Sequence, residues 1–442
     1  MLEAIVIGCG TIGAAVGAAL ASKGVVTGLY DIAPLRREAL RNRSLLFVEI
    51  ELAQALLAAV AARKLRVLDS LERQPAPTNY IVCTPTPVGA AGEFDASAIM
   101  SALETILGVA QTGDAIFIRS TVPIGVTRKL ASRLRARGFE LQFASTPDRS
   151  IEGRNFADQF SVPHLIGGVD AQSAIRAAAL FGHLGRTIDV GAPEASEAAK
   201  LFSNVWRATM FATSNAMALV CESHGLDVRA IFEAATTDYD RFSPARPGPV
   251  GGPCLSKDIR LLEAGLPQDI AALFQGVRQI ETRFVGQVVS AIESHLSARP
   301  KPLRIALAGL AFKGRPEVDD VRGSVALTLI QSIRARWVDA RLVGWDAVMT
   351  AAQIEETGIQ PAASLSEAVK GADLALFCNI HPTLAKTSLV DLANLAAAGA
   401  LFYDLVGVTL PFRADLPNGA RHHILGQGEN RFGLGEYNTG YM

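Results

Sequence analysis

The sequence predicts an α/β protein: two Rossmann-like, doubly wound α/β domains joined by an all-α segment of long helices. Three observations predict it. An apolar run, Ala4 to Ile7, enters the glycine turn Gly8-Cys9-Gly10-Thr11-Ile12-Gly13, an alanine-rich helical stretch, and a second apolar run ending beside Asp31. Glu194 to His224 then carries a helical pattern with neither proline nor glycine. A second α/β series opens at Leu303, after the linker Ser297-Ala298-Arg299-Pro300-Lys301-Pro302.

Within the first domain, expected over residues 1–190, strands are predicted at Ala4 to Ile7, Val25 to Tyr30, Tyr80 to Cys83, Ala115 to Ile118 and Leu141 to Phe143, with a helix over Ser44 to Arg63. The middle segment, residues 191–298, pairs the long helix Glu194 to His224 with Gln268 to Leu296, across a loop rich in proline and glycine from Ser243 to Pro253. The last domain, residues 299–442, has strands at Leu303 to Gly309, Arg341 to Trp345, Leu374 to Phe377 and Leu401 to Tyr403. Its polar tail from Gln427 carries no functional signal.

Composition excludes several classes. The chain has 442 residues with 42 Lys+Arg against 43 Asp+Glu, so no basic excess exists to bind nucleic acid. Cysteines at 9, 83, 221, 254 and 378 show neither the pairing of a metal site nor the density of a disulfide scaffold. No metal and a reducing cytoplasm are expected. The N-terminus lacks a signal-peptide pattern. A mean hydropathy of +0.26 draws attention to Leu392 to Phe412, but Asn394, Asp404 and Pro411 interrupt that window, so no membrane span is expected.

Gly8-x-Gly10-x-x-Gly13 follows a strand and opens a helix, and Asp31 ends the next strand. Gly8 permits the tight turn, Gly10 the approach of a pyrophosphate and Gly13 close helix packing, while Asp31 suits a ribose 2′-hydroxyl and repels a 2′-phosphate. NAD is the expected cofactor. The loops Thr84-Pro85-Thr86-Pro87 and Ser120-Thr121-Val122-Pro123 follow strands and would cover it. Cys254 lies in a glycine-rich loop with Lys257 and Asp258 close behind, where a thiol is more than filler. Lys200 and Asn204 share a helix face at i and i+4. Asp148 and Glu152 follow a strand end, and Phe312-Lys313 with Asp319-Asp320-Val321-Arg322 follow the first strand of the last domain.

These elements, in this order, resemble the nucleotide-sugar 6-dehydrogenases: the UDP-glucose, GDP-mannose and UDP-N-acetylmannosamine dehydrogenases. The resemblance spans nearly the whole chain. It is carried by Gly251-Gly252-Pro253-Cys254 with Lys257 and Asp258, by Lys200 and Asn204, by Ser120-Thr121-Val122-Pro123, and by Gly309-Leu310-Ala311-Phe312-Lys313 leading to Asp320 and Arg322. It implies that Cys254 is the nucleophile, that Asp258 and Lys200 handle the attacking water and developing oxyanion, and that Asn204 is an oxyanion partner. It places Thr11, Ile12, Thr84, Pro85, Thr86, Ser120, Thr121, Glu152 and Arg322 on the cofactor side. It places Asp148, Arg149, Lys200, Asn204, Arg246, Gly251, Gly252, Phe312 and Lys313 on the substrate side. A homodimer built by the middle domain and a nucleotide site in the last domain are implied as well. The chain departs from the family where Asp148 replaces a glutamate and where Asp404-Leu405-Val406-Gly407 replaces Asp-x-Arg-Asn; Arg149 is similar to the N-acetylhexosamine enzymes.

The expected activity is NAD-dependent, four-electron oxidation of the C6 hydroxyl of a UDP-hexose or UDP-N-acetylhexosamine to the uronic acid through a Cys254 thioester. Its rivals are a two-electron β-hydroxyacid dehydrogenase, which has no use for Cys254, and a non-catalytic binder of NAD and nucleotide sugar.

Overall fold

The computed structural model of the chain describes residues 1–42, 48–89, 92–409 and 415–427. They group into two compact units, Met1–Val205 with Lys257–Pro267, and Trp206–Ser256 with Gln268–Met442.

The first unit is built on a sheet of eight strands: β1 Ala4–Ile7, β2 Thr27–Tyr30, β3 Leu65–Val67, β4 Asn79–Val82, β5 Ala115–Ile118, β6 Gln142–Ser145, β7 His164–Gly168 and β8 Thr187–Asp189. Their order is β3-β2-β1-β4-β5-β6-β7-β8, so the winding reverses between β1 and β4. That switch point lies beside the glycine turn. β1 is apolar throughout because both of its faces are covered, one by the helix Thr11–Ser22 and the other by residues such as Ile99 and Leu103. The sheet is mixed, since β7 pairs antiparallel with β6. No alternation announces β7, which reads His-Leu-Ile-Gly-Gly; a Cβ on Gly167 would stand 2.4 Å from the Ala192 carbonyl oxygen, so glycine is needed there.

The second unit carries six parallel strands in the order β11-β10-β9-β12-β13-β14: β9 Arg304–Ala308, β10 Arg341–Trp345, β11 Gln360–Pro361, β12 Leu374–Phe377, β13 Leu401–Asp404 and β14 Arg421–Ile424. Its switch point lies between β9 and β12. Phe284, Val288, Ile292 and Leu296 recur at helical spacing on the helix Gln268–Leu296 and join the core of this sheet.

The two long helices run Pro193–Ser223 and Gln268–Leu296. The helix expected from Ser44 is described over Ile50–Ala61, its predicted start lying outside the described residues. The window from Leu392 divides into the end of the helix Leu389–Leu395 and β13, with residues 410–414 outside the described ones. Among the described residues no helix is long and apolar enough to cross a membrane, and no cluster of three His, Cys, Asp or Glu could hold a metal ion.

Candidate active site

The glycine turn has the geometry its sequence requires. Gly8 sits at φ +94°, and a Cβ there would lie 2.6 Å from the Cys83 carbonyl oxygen; one on Gly13 would lie 1.8 Å from the Gly8 oxygen. The helix Thr11–Ser22 begins after Gly10 with no side-chain cap and no acid in its first turn, so its N–H groups and positive dipole end suit a pyrophosphate. Thr11 and Ile12 form that first turn. Asp31 accepts the Cys9 N–H at 2.7 Å and the Ala33 N–H at 2.8 Å, and each oxygen retains a lone pair for a ribose hydroxyl. These residues fit NAD. Arg36 is an addition that the sequence reading missed: its Nη1 stands 3.3 Å from where a Cβ on Gly10 would be, so a cation overhangs the turn.

The two loops expected to cover the cofactor are joined, Ser120 Oγ donating to the Thr84 carbonyl at 2.7 Å. Pro85 is exposed, Thr86 is buried and Thr121 is half-buried. Glu197, also missed, accepts the N–H groups of Gly125 and Thr127 at 2.6 and 2.8 Å, fastening the long helix to the start of the helix Val126–Ala136 that follows the Ser120 loop. Lys200 and Asn204 lie one and two turns further along the same helix.

Asn204 Nδ2 donates to Asp258 Oδ2 at 2.6 Å, and Lys257 Nζ lies 3.2 Å from Asp258 Oδ1 and 3.1 Å from Thr86 Oγ1. Asp258 is 1% exposed. A side chain so enclosed needs polar partners, and a cation and a hydrogen-bond donor are both present. Lys200 is half-buried.

Asp148 is buried and occupied. Its Oδ1 accepts from Arg119 Nη2 at 2.8 Å and from Gln159 Nε2 at 3.0 Å; its Oδ2 accepts the Ser150 N–H at 3.0 Å and the Ser150 hydroxyl. Burial alone would raise its pKa, but Arg119, those hydrogen bonds and the charge of Lys200 outweigh burial and hold it below the usual carboxylate range. Arg119, 3% exposed, also donates to the Thr146 carbonyl at 2.9 Å and to Gln159 Oε1 at 2.8 Å, and lies over the Phe181 ring. A lone arginine directly after the wholly apolar β5 was the signal for this cluster. Arg149 and Glu152 are half-buried in the turn that follows.

In the second unit the exposed Cys254 directly precedes the helix Leu255–Glu263. The two residues expected on the substrate side, Gly251 and Gly252, pack on Phe312: a Cβ on Gly252 would lie 2.7 Å from its ring, and one on Gly251 would lie 2.9 Å from its carbonyl oxygen. Gly252 N–H donates to the Gly323 carbonyl at 3.3 Å. Lys313 Nζ stands 5.3 Å from the Phe312 ring centroid. Arg322 is exposed and forks onto Asp320 at 2.6 Å, and Arg246 donates to the Gly407 carbonyl.

A phosphate-binding turn at a sheet's switch point, an acid placed for ribose and a second doubly wound sheet define an NAD-dependent oxidoreductase. The chain belongs to the UDP-glucose/GDP-mannose dehydrogenase family. Residues 3–185 match that family's NAD binding domain, 194–283 its central domain and 306–411 its UDP binding domain. A UDP-N-acetyl-D-mannosamine dehydrogenase of Pyrococcus horikoshii is 30% identical over 389 residues, covering 85% of this chain and 89% of that one. The enzyme of that name from Escherichia coli K12 is 28% identical over 397 residues, covering 85% and 93%. A solved structure of the Pyrococcus horikoshii UDP-D-ManNAc dehydrogenase superposes with a TM-score of 0.84 at 26% identity, covering 97% of this chain and all of that one.

Proposed function

We propose that the protein oxidises the C6 alcohol of a UDP-N-acetylhexosamine, UDP-N-acetylmannosamine being the first substrate to test, to the carboxylate with Cys254 as covalent nucleophile. The observation that carries this reading is the 2.6 Å hydrogen bond between Asn204 and Asp258, which ties the helix pair Lys200 and Asn204 to the acid that follows the cysteine loop. The names of the relatives and Arg149 support the N-acetylhexosamine class.

Bound NAD would supply the hydride acceptor, two molecules for each sugar, and the C6 hydroxyl proton of the first oxidation would leave to solvent water. The Cys254 sulfur adds to the C6 aldehyde to give a thiohemiacetal, whose oxidation leaves a thioester; water then cleaves the C–S bond, releasing the carboxylic acid and restoring the thiol. Asp258 accepts the proton of the attacking water. Lys200 and the second N–H of the Asn204 amide stabilise the oxyanion. Asp148, engaged by Arg119, acts as a fixed charge for Lys200 rather than as a proton acceptor. To the cofactor side we assign Arg36 with Gly8, Gly10, Gly13, Asp31 and Glu152 in the first unit; Arg322 is assigned there by the family resemblance alone.

A homodimer fits the exposed apolar residues Trp206, Met217 and Val220 on the long helix, 67%, 37% and 58% exposed. The five thiols fit the cytoplasm.

The test is a panel of UDP-, GDP- and dTDP-sugars followed by NADH release and product mass. Two NADH per sugar and a carboxylate are expected. One NADH with a released aldehyde sinks the four-electron reading. Cys254→Ser should still bind NAD while turnover falls by three to four powers of ten, a loss of about 5 kcal/mol of transition-state stabilisation. Turnover within tenfold of the parent overturns the covalent mechanism.

A further inference from the structure

The loop that delivers Cys254 has almost no structure of its own. Pro247-Gly248-Pro249-Val250-Gly251-Gly252-Pro253 holds three prolines, which lack an N–H, and three glycines, which lack a side chain, so it is a poor former of helix or sheet. Its backbone is nevertheless held at every second residue. Gly248 donates its N–H to Asn215 Oδ1 at 2.8 Å and its carbonyl accepts from Asn215 Nδ2 at 2.9 Å, a two-point contact of the kind a neighbouring strand would make. Val250 N–H donates to Glu281 Oε2 at 3.3 Å, and Gly252 N–H to the Gly323 carbonyl. Asn215 Nδ2 also donates to Glu281 Oε1 at 3.0 Å, linking the two side chains. The period of two is that of an extended strand, with side chains of two helices in place of its partner.

The cost of this arrangement points to its purpose. Asn215 is fully buried in the middle of the helix Pro193–Ser223, where asparagine is a poor helix former. Glu281, on the helix Gln268–Leu296, accepts from Asn215 and Val250, and withdrawal from water raises its pKa to about 7. A fully buried position on one helix and a half-buried one on the other carry polar groups aimed at one loop.

We propose that Asn215 and Glu281 are positioning residues that set the placement of the Cys254 thiol. The inference rests on the reading of Cys254 as the nucleophile. Neither side chain touches substrate or cofactor; both act through the backbone of residues 248–250, and the cysteine lies four residues beyond.

The test compares Asn215→Ala, Glu281→Leu and Glu281→Gln with the parent in three measurements: kcat with a saturating sugar nucleotide, NAD affinity, and the rate at which iodoacetamide alkylates Cys254 in ligand-free protein, followed on the Cys254 peptide by mass spectrometry. Asn215→Ala and Glu281→Leu should lower kcat tenfold or more and change the alkylation rate at least threefold. NAD affinity should stay within twofold, because the glycine turn is untouched. Glu281→Gln keeps an acceptor of the same shape, so it should recover at least half of the lost kcat, and it keeps the comparison alive if either other variant fails to fold. A lowered melting temperature with kcat and alkylation unchanged shows a merely structural role and overturns the proposal, as does a change in only one of the two. Alkylation needs no catalysis, so a parent enzyme that releases one NADH per sugar would sink the proposed function and still leave the clamp measurable.

Discussion

Asp148 and Glu281 are both carboxylates withdrawn from water, and the two units treat them in opposite ways. Asp148 meets a guanidinium at 2.8 Å and is held ionised; Glu281 meets an amide and a backbone N–H, and its pKa is pushed up to about 7. At Glu281 hydrogen bonds from neutral groups do not offset desolvation, whereas at Asp148 Arg119, the hydrogen bonds of Ser150 and Gln159 and the charge of Lys200 together do. The difference teaches where each acid can act. A carboxylate fixed in its charged state serves as a permanent field, while one balanced near neutrality is a site where protonation and backbone anchoring compete.

Removing the cation is the hardest break. Arg119→Met should destabilise the protein by about 3 to 5 kcal/mol, because it leaves the buried Asp148 without the cation that pairs with it at 2.8 Å. Urea unfolding at pH 7 measures it. The sign with pH follows from a lowered folded pKa: the stability contributed by Asp148 is present above the ordinary carboxylate pKa of 3.8 and is lost as pH falls below it. A loss under 1 kcal/mol would mean that Asp148 is not bound up with Arg119 in solution.

Glu281 should show the opposite sign. Its folded pKa is raised, so its stabilising contribution is complete below the ordinary glutamate value of 4.5 and is lost as pH rises toward about 7. A shift of this size corresponds to roughly 3 kcal/mol. Glu281→Gln should therefore flatten the fall in unfolding free energy between pH 5 and pH 8. An unchanged slope in the variant would place that titration elsewhere.

Sequence made some of this plain and hid the rest for identifiable reasons. The glycine turn, Asp31 and most strands were legible because φ-positive glycines and short apolar runs are local signals; Ala115–Ile118 and Arg341–Trp345 fall on their predicted bounds. β7 was not, since Gly167 answers to packing against Ala192 and Pro193 and Gly168 to the start of the following helix at Asp170 and Ala174. Arg119 and Asp148 stand 29 residues apart and meet only because β5 and β6 are neighbours. Glu281 looks like any acid on an exposed helix face until the loop it serves is in place. Asn215 has no Lys at i−4 of the kind that drew attention to Asn204, and only a partner distinguishes a buried amide with a task from one without.

The smallest effect sharpens the comparison by repeating its pairing without its burial. Arg128 forks onto Glu194 at 2.6 and 3.0 Å, which is geometry as good as that of Arg119 and Asp148, but both partners keep a large part of their side chains in water, 46% and 33%. Water already solvates each charge in the unfolded chain and nearly as well in the folded one, so the pair gains little beyond a screened Coulomb attraction and loses rotamer freedom in both side chains. Arg128→Ala should then shift the unfolding free energy by under about 1 kcal/mol, and the shift should shrink further in 1 M salt, where screening acts within about 3 Å. Arg119→Met should keep its full effect in that salt, because ions do not reach a pair so enclosed. Urea titrations of both variants at low and high salt read the contrast directly. If Arg128→Ala costs as much as Arg119→Met, or if the two respond alike to salt, then pairing rather than burial governs these carboxylates, and the account of Asp148 and Glu281 fails with it.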